Sequence, residues 1–347
     1  MNIENIFNDI RTLMGNDKLS IYQNHVSNYN KLKFSVLKSS RCPPPLYEFT
    51  LTSYQEFAKL LSTPNNNIQK LNISTTTRSV RGEPLTILCN AITNENCELI
   101  SLLIQSTELD FYEYNWVPKS NMFRIQILEL PHNSLKDDEI KMISLLLTSE
   151  YNQILKLNLD YNEIGVHGMV YIANALKNKH NKLINLQMVK CGHNCSTVIE
   201  GVYAFYESLC HQNNKLQKLD LSGSRLTHTH LDILLKGLHD SNCKLINLKL
   251  LQNDTITKSL YNKWAYALKY NLFNIELLFL PLQSYYPKTT KDQIDYLCIR
   301  NRKAKLLLTL CGGNTLKHKY TKASIKKLPL ELWKKLSTFI VVEELDF

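Results

Sequence analysis

A six-residue pattern of apolar positions recurs along the middle of the chain. Its first, fourth and sixth positions are apolar, and the alternation at the end predicts a short strand with one buried side. The five clearest copies are ILKLNL at 154–159, LINLQM at 183–188, LQKLDL at 216–221, LINLKL at 245–250 and IELLFL at 275–280. Their fourth positions are 29, 33, 29 and 30 residues apart. One such strand cannot bury its apolar side alone, so stacked copies are predicted to share a continuous core.

Less regular copies of the pattern precede these five. They are IQKLNI at 68–73, LISLLI at 99–104 and IQILEL at 125–130, which brings the predicted repeats to eight. The segment at 29–34 resembles a further strand, but Leu32 lies 39 residues before Leu71, a longer interval than the others. After the strands, apolar residues at helical spacing predict a helix, as at Ile164, Gly168 and Ile172.

The alternation of strand and helix over this period closely resembles the ribonuclease-inhibitor class of leucine-rich repeats. That resemblance implies an α/β solenoid with a curved parallel sheet inside, helices outside, and helical N- and C-terminal caps. It also implies that an Asn or Cys five residues after the central Leu bonds the backbone where the strand turns. Asn133, Asn162, Cys191 and Asn253 fit this pattern. Thr76, Thr107, Ser224 and Gln283 stand at the same position in other repeats, and Ser224 and Gln283 make their turns less certain.

Domain boundaries follow from proline and from the end of the repeat. The run from Cys42 to Pro45 contains three consecutive prolines, which force an extended backbone and favour a boundary there. We predict an N-terminal cap at 1–45, a leucine-rich-repeat solenoid at 46–286, and a basic helical C-terminal cap or F-box-like segment at 287–347. In that last segment, residues 291–310 predict a closing helix that Gly312 and Gly313 interrupt.

Charge and composition narrow the class of partner. The chain has a net charge of +10, and residues 287–335 alone contain 13 Lys and Arg against three acidic residues. No aromatic interleaving or nucleic-acid motif accompanies this charge, so a solvated helical face is favoured and nucleic acid is not expected. No apolar run reaches the ~20 residues that a membrane span requires. The nine scattered cysteines favour a reducing cytoplasm.

Candidate catalytic and metal-binding groups are few. Cys191, His193 and Cys195, like His228 and His230, lack the paired spacing of a zinc site. Cys298 and Cys311 lie on apolar faces and are best interpreted as buried thiols. No phosphate-binding loop or hydrolase motif occurs. We therefore predict no enzyme activity, no cofactor and no metal site.

The side of the sheet that faces away from the core is the predicted binding surface. Positions three, five and seven of each repeat point to this side, and in the middle repeats they carry both signs of charge, as protein-binding surfaces do. Tyr161 is a candidate aromatic anchor. The predicted partner-binding residues are Lys156, Asn158, Asp160, Tyr161, Asn185, Gln187, Lys218, Asp220, Asn247, Lys249, Leu251, Leu277 and Phe279. At the C-terminal end, Leu251, Leu277, Phe279 and Pro281 form an apolar cluster that either binds a partner or is covered by the closing helices.

A second candidate lies near the C-terminus. Six residues there are similar to the opening of an F-box, the helical module that docks substrate receptors onto cullin-type ubiquitin ligases. They are Leu328, Pro329, Glu331, Leu332, Leu336 and Ile340. The similarity covers only about 13 residues, and a helix that caps the solenoid is the alternative.

The expected function is therefore a non-catalytic protein–protein interaction module, monomeric by itself. The Asn- and Lys-rich composition and the repeats resemble leucine-rich-repeat effectors that intracellular bacteria such as Legionella deliver into the host cytosol. That resemblance implies a host protein or a second effector as partner. The alternative is a substrate receptor that contacts a ubiquitin-ligase adaptor through its C-terminus.

Overall fold

A computed structural model of the chain describes residues 31–35, 51–64, 68–74, 83–105, 123–191, 199–254, 257–269, 275, 277–281, 292 and 294–299. Several predictions fall outside these residues: most of the N-terminal cap, the closing helix beyond residue 299, and the F-box-like residues between Leu328 and Ile340. The turn positions Thr76, Thr107 and Gln283 also lie outside them.

Nine strands in the described residues form one open parallel sheet in chain order. They are β1 (Lys31–Ser35), β2 (Lys70–Ser74), β3 (Ser101–Gln105), β4 (Ile127–Glu129), β5 (Lys156–Asn158), β6 (Asn185–Gln187), β7 (Lys218–Asp220), β8 (Asn247–Lys249) and β9 (Leu277–Phe279). Leu157, Leu186, Leu219 and Leu248 are partners on four neighbouring strands. The register predicted from the repeat is therefore confirmed.

Seven described helices lie in seven of the eight connections between these strands; the connection between β3 and β4 has no described helix. They are α1 (Leu51–Ser62), α2 (Glu83–Ile92), α3 (Asp137–Thr148), α4 (Val166–Leu176), α5 (Ile199–Leu209), α6 (His228–Leu238) and α7 (Lys258–Lys269). Helices of consecutive repeats pack on one another on one side of the sheet. Parallel strands are ~4.8 Å apart whereas packed helices need ~8–10 Å, so the sheet must lie on the inside of the curve. We call its free side the concave face.

The core runs between the sheet and the helices without interruption from Leu60 to Cys298. The apolar side chains at the strand positions of each repeat pack into this core. Leu157 and Leu159, for example, are both 0% exposed. Close approach of the helices requires small residues. A Cβ atom added to Gly201 would lie 2.9 Å from the Cβ of Met169, so a larger residue there would push α5 away from α4.

Strand β1 adds one rung to the eight repeats predicted from the sequence. It pairs with β2 in the same register, with Leu32 opposite Leu71. The long interval between these residues therefore does not prevent pairing in the register of the repeat. Strand β1 lies within the segment 1–45, whose role as a cap stays a prediction.

No described helix combines the length and the apolar character that crossing a lipid bilayer would need.

Candidate functional site

Buried side chains hold the turns at the ends of the strands. We call Asn133, Asn162, Cys191, Ser224 and Asn253 the turn ladder. Asn162 makes the fullest set of bonds: its Nδ2 donates to the carbonyl oxygens of Leu130 (2.8 Å) and Leu159 (2.9 Å), and its Oδ1 accepts from the backbone N–H groups of Asn133 (2.9 Å) and Leu135 (3.1 Å). The Asn162 side chain thus forms hydrogen bonds with backbone groups of two neighbouring repeats.

The other members of the turn ladder bond in the same way. Asn253 Nδ2 donates to the Leu221 carbonyl at 2.9 Å, and the Cys191 Sγ lies 3.3 Å from the Leu159 carbonyl oxygen. The Ser224 hydroxyl donates to the Met188 carbonyl at 3.1 Å. The turn at Ser224 is therefore kept, because a hydroxyl reaches the carbonyl that an amide would otherwise reach.

Cys191 should be a poor nucleophile in the folded protein. Burial raises the pKa of its thiol to about 12. Burial and the Asp240 carboxylate also raise the pKa of Cys210, but Cys210 is half-buried and more accessible. We expect iodoacetamide at pH 8 to alkylate Cys191 at least tenfold more slowly than Cys210, because so little thiolate is present and access is closed. Site-resolved mass spectrometry over time measures both rates. In 8 M urea the two rates should converge, and similar rates without urea would contradict the buried assignment.

A second set of buried polar residues lies at the opposite end of the strands, where each helix returns to the sheet. The Oδ1 atoms of Asn152, Asn181 and Asn214 each accept from a backbone N–H two residues later, at 2.9–3.0 Å. Nδ2 of Asn152 also donates to the Leu147 carbonyl at 2.9 Å. These residues are not among those predicted from the sequence. Their signal is an Asn two residues before the first apolar position of the pattern.

The residue four positions after each central Leu forms a column along the rim of the concave face. This rim column consists of His132, Tyr161, Lys190, Gly223 and Gln252, all of which have a positive φ between 55° and 68°. The rings of His132 and Tyr161 stack with centroids 4.3 Å apart, and the Lys190 ammonium lies 5.1 Å from the Tyr161 ring on a cation–π contact. Tyr161 is still 42% exposed.

Gly223 is the one member of the rim column without a side chain. A Cβ atom there would lie 2.7 Å from the Cγ of Lys190, so the Lys190 stem crosses the space that a side chain would fill. Lys190 is therefore held between Tyr161 and Gly223. The sequence predicts Tyr161 as a binding residue, whereas His132 and Lys190, which share its position in the repeat, were not predicted.

On the concave face itself, several predicted charges are neutralised within the chain. Lys156 Nζ lies 2.6 Å from Glu129 Oε1 on the neighbouring strand. Lys249 Nζ lies 3.5 Å from Asp220 Oδ2 and 6.0 Å from the centre of the Phe279 ring. Lys218, in contrast, is exposed.

Asp160 lies on the concave face and has a raised pKa. Burial raises its pKa above the ordinary value, and the nearby Asp220 carboxylate adds to this, while the hydrogen bond from the Val189 N–H acts in the opposite direction. That bond is 2.7 Å long and ties Asp160 to the next repeat. Two other acceptors of this face, Ser222 Oγ and Asn247 Oδ1, are buried and have no hydrogen-bond partner in the described part of the chain.

The apolar residues predicted at the C-terminal end of the face are unequally exposed. Leu251 and Leu277 are 42% and 40% exposed, Phe279 is half-buried, and Pro281 is buried. Three further predicted residues on the strands of the concave face are half-buried: Asn158, Asn185 and Gln187. The structure therefore brings all thirteen predicted binding residues to one continuous face and its rim.

His228 and His230 lie in the first turn of α6, and His230 has a structural role there. Nδ1 of His230 accepts from the Thr227 N–H at 3.1 Å at the start of the helix. Burial lowers the pKa of His230 below its ordinary value. Among the described residues no group of three or more His, Cys, Asp or Glu side chains is placed to hold a metal ion.

A groove opens on the helical side between α6 and α7. Leu235 and Ala267 lie at its base, and Tyr266 stands at its mouth. The ion pair between Lys263 and Asp232 crosses it at 2.8 Å. The groove lies on the opposite side of the sheet from the concave face and shares no residue with it.

Comparison with known proteins places this architecture in context. No protein-family model matches the chain. "NACHT, LRR and PYD domains-containing protein 3" of Bos taurus is 25% identical over 218 residues, which are 54% of this chain and 20% of that protein. The chain thus spans about a fifth of the length of this relative. An internalin (inlF) structure from Listeria monocytogenes covers 77% of this chain at 14% identity, with 85% of its own length covered and a TM-score of 0.30, which by itself establishes nothing.

The repeat period, the nine-rung parallel sheet with its helices on one side, and the turn ladder agree with the sequence similarity to the bovine protein. The chain has the α/β fold of a leucine-rich-repeat solenoid.

Proposed function

We propose that this chain is a non-catalytic module that binds a partner protein on its concave face. The observation that carries the proposal is the composition of that face. It combines exposed charge at Lys218, exposed apolar surface at Leu251 and Leu277, and buried acceptors that have no partner among the described residues. Such a mixture, with apolar contacts beside polar groups that need partners, is typical of protein–protein interfaces.

The rim column supports the same surface. Tyr161 is exposed yet fixed between the His132 ring and the Lys190 ammonium. A rigid aromatic side chain loses little conformational entropy when it binds, so it suits an anchor at an interface. The partner would therefore contact the rim at Tyr161 and the strands beside it.

Charge reversal at Lys218 tests the binding surface. We expect Lys218→Glu to weaken capture of a partner from a cytosolic lysate and, once that partner is purified, to lower its affinity at least tenfold, about 1.4 kcal/mol. Lys156 is a poorer choice, because a glutamate there would face Glu129 and disturb the sheet. Isothermal titration calorimetry measures the affinity.

The matched control is Lys215→Glu. Lys215 is also exposed and lies three residues away, before β7 and outside the concave positions. This variant makes the same charge change but should bind the partner normally. Equal loss in both variants would point to net charge, and no loss in either would place the binding site elsewhere.

The alternative function, a substrate receptor of a cullin-type ubiquitin ligase, depends on Leu328 to Ile340. Capture with the full chain and with a chain that ends at Thr321 separates the two functions. Loss of ligase subunits on truncation would support the receptor, and unchanged partners would support the plain binding module. Delivery into a host cytosol, with a host protein or a second effector as partner, stays a prediction from resemblance.

A further inference from the structure

Three consecutive repeats bring their seventh positions together near the middle of the concave face. Asp160, Val189 and Ser222 hold these positions. The register continues past the strands, because the Tyr161 N–H donates to the Val189 carbonyl and the Lys190 N–H donates to the Ser222 carbonyl, both at 2.7 Å. Asp220 precedes Ser222 by two residues and so points to the same side of the sheet. We call Asp160, Val189, Asp220 and Ser222 the acceptor pocket.

The acceptor atoms of this pocket can accept more hydrogen bonds than the described residues donate to them. Asp160 Oδ1 accepts from the Val189 N–H at 2.7 Å, which draws its carboxylate one strand towards Ser222. Asp160 forms no ion pair within the described residues. The Ser222 side chain is 7% exposed, and its Oγ has no partner in that part of the chain. A buried hydroxyl without a partner is rare in folded proteins.

Neighbouring cations of the chain are already engaged. Lys156 pairs with Glu129, and Lys190 lies over the Tyr161 ring. Lys249 is the cation beside Asp220, at 3.5 Å, while Asp220 Oδ1 accepts from the Ser222 N–H at 3.1 Å. Asp160 forms no ion pair with a Lys or Arg among the described residues; the neighbours that lower its pKa besides the Val189 N–H are the Asn158 side chain and the His132 ring.

We infer that the acceptor pocket receives the guanidinium group of an arginine side chain from the partner protein, an assignment that rests on the proposed function. A guanidinium is planar and carries several N–H donors in a fixed fork, so it can donate to Asp160 and to Ser222 on different strands at once. A lysine ammonium is a point charge and would satisfy fewer acceptors in fixed directions. Val189 occupies the same position in the repeat that lies between the two acceptors. Burial also raises the pKa of Asp160, an effect that an arriving cation would offset.

The pocket can be tested without the partner. The probe is N-acetyl-arginine methylamide, compared with the citrulline analogue, which has the same shape without charge, and with the lysine analogue. Backbone amide signals of Val189 and Ser222 in the full chain report on binding by ¹⁵N NMR, because these N–H groups donate to Asp160 and Asp220. We expect saturable shifts with the arginine probe at a Kd at least tenfold lower than with either analogue.

Two substitutions sharpen this test. Asp160→Asn keeps an acceptor for the Val189 N–H but removes the charge, and should raise the Kd of the arginine probe at least tenfold. Glu163→Gln, at an exposed carboxylate outside the pocket, should leave it unchanged. Equal binding of citrulline or lysine, or no effect of Asp160→Asn, would overturn the inference. If the probe fails while Lys218→Glu still weakens the partner, only the pocket is wrong; if the probe binds and Lys218→Glu has no effect, the proposed function is wrong.

Discussion

Leu219→Asp should abolish cooperative folding of the solenoid. Leu219 is 2% exposed and stands between Leu186 and Leu248 on the neighbouring strands. Removing a buried Leu side chain costs ~2–5 kcal/mol. An unpaired buried carboxylate costs several kcal/mol more, so the total is comparable with the ~5–15 kcal/mol that stabilises a whole domain. Thermal unfolding followed by circular dichroism should show no cooperative transition.

Lys218→Asp is the matched control for that experiment. It introduces the same side chain one residue away, in the same strand, but on the exposed concave side. We expect the free energy of unfolding to change by less than about 1 kcal/mol, as is usual for surface substitutions. A one-residue error in the register would reverse the two results, since neighbouring strand residues point to opposite faces.

Asn162→Ala should destabilise the fold by roughly 2–5 kcal/mol, because each buried backbone group that loses its hydrogen-bond partner costs ~1–3 kcal/mol. The substitution removes the bonds to the Leu130 and Leu159 carbonyls and those from the Asn133 and Leu135 N–H groups. Relaxation of the turn would recover part of this loss. The shift of the urea midpoint at constant slope measures the change.

Two further variants decide which bonds of Asn162 matter. Asn162→Asp keeps an acceptor for the two N–H groups but sets a carboxylate against the two carbonyl oxygens, so it should be at least as destabilising as Asn162→Ala at pH 7. Asn158→Ala is the control of the same residue type, since Asn158 is half-buried on the concave face and its Oδ1 accepts from the Asp160 N–H at 2.8 Å. It should cost about 1 kcal/mol. Equal effects at Asn158 and Asn162 would argue against a special role for the turn ladder.

Most of the fold could be predicted from the sequence because the same pattern of buried positions occurs in every repeat. The spacing of Leu157, Leu186 and Leu219 predicts the register, and their pairing confirms it. The irregular segment around Leu32 is part of the sheet, and Leu32 pairs with Leu71 in the register of the repeat although the interval between them is longer than the others. The Asn152 series was missed because one polar residue in a helix-to-strand loop resembles any loop residue until it is compared between repeats.

The candidate site was less predictable. All its residues could be assigned to the concave face or rim from their position in the repeat. Their individual states could not, because Lys156 is neutralised by Glu129, 27 residues earlier, and Tyr161 is fixed by His132 and Lys190 in the adjoining repeats. Position in the pattern says which side a residue faces, and says nothing of which neighbour its side chain reaches.

By itself, then, the sequence determined which side chains form the core and which line the free side of the sheet, because burial follows an alternation that can be counted along the chain. Only the tertiary structure decided that Asp160 bonds the Val189 N–H, that Ser222 Oγ stays without a partner in the described residues, and that Lys190 crosses Gly223. Such contacts join residues about one or two repeats apart, and they depend on the directions of side chains on neighbouring strands.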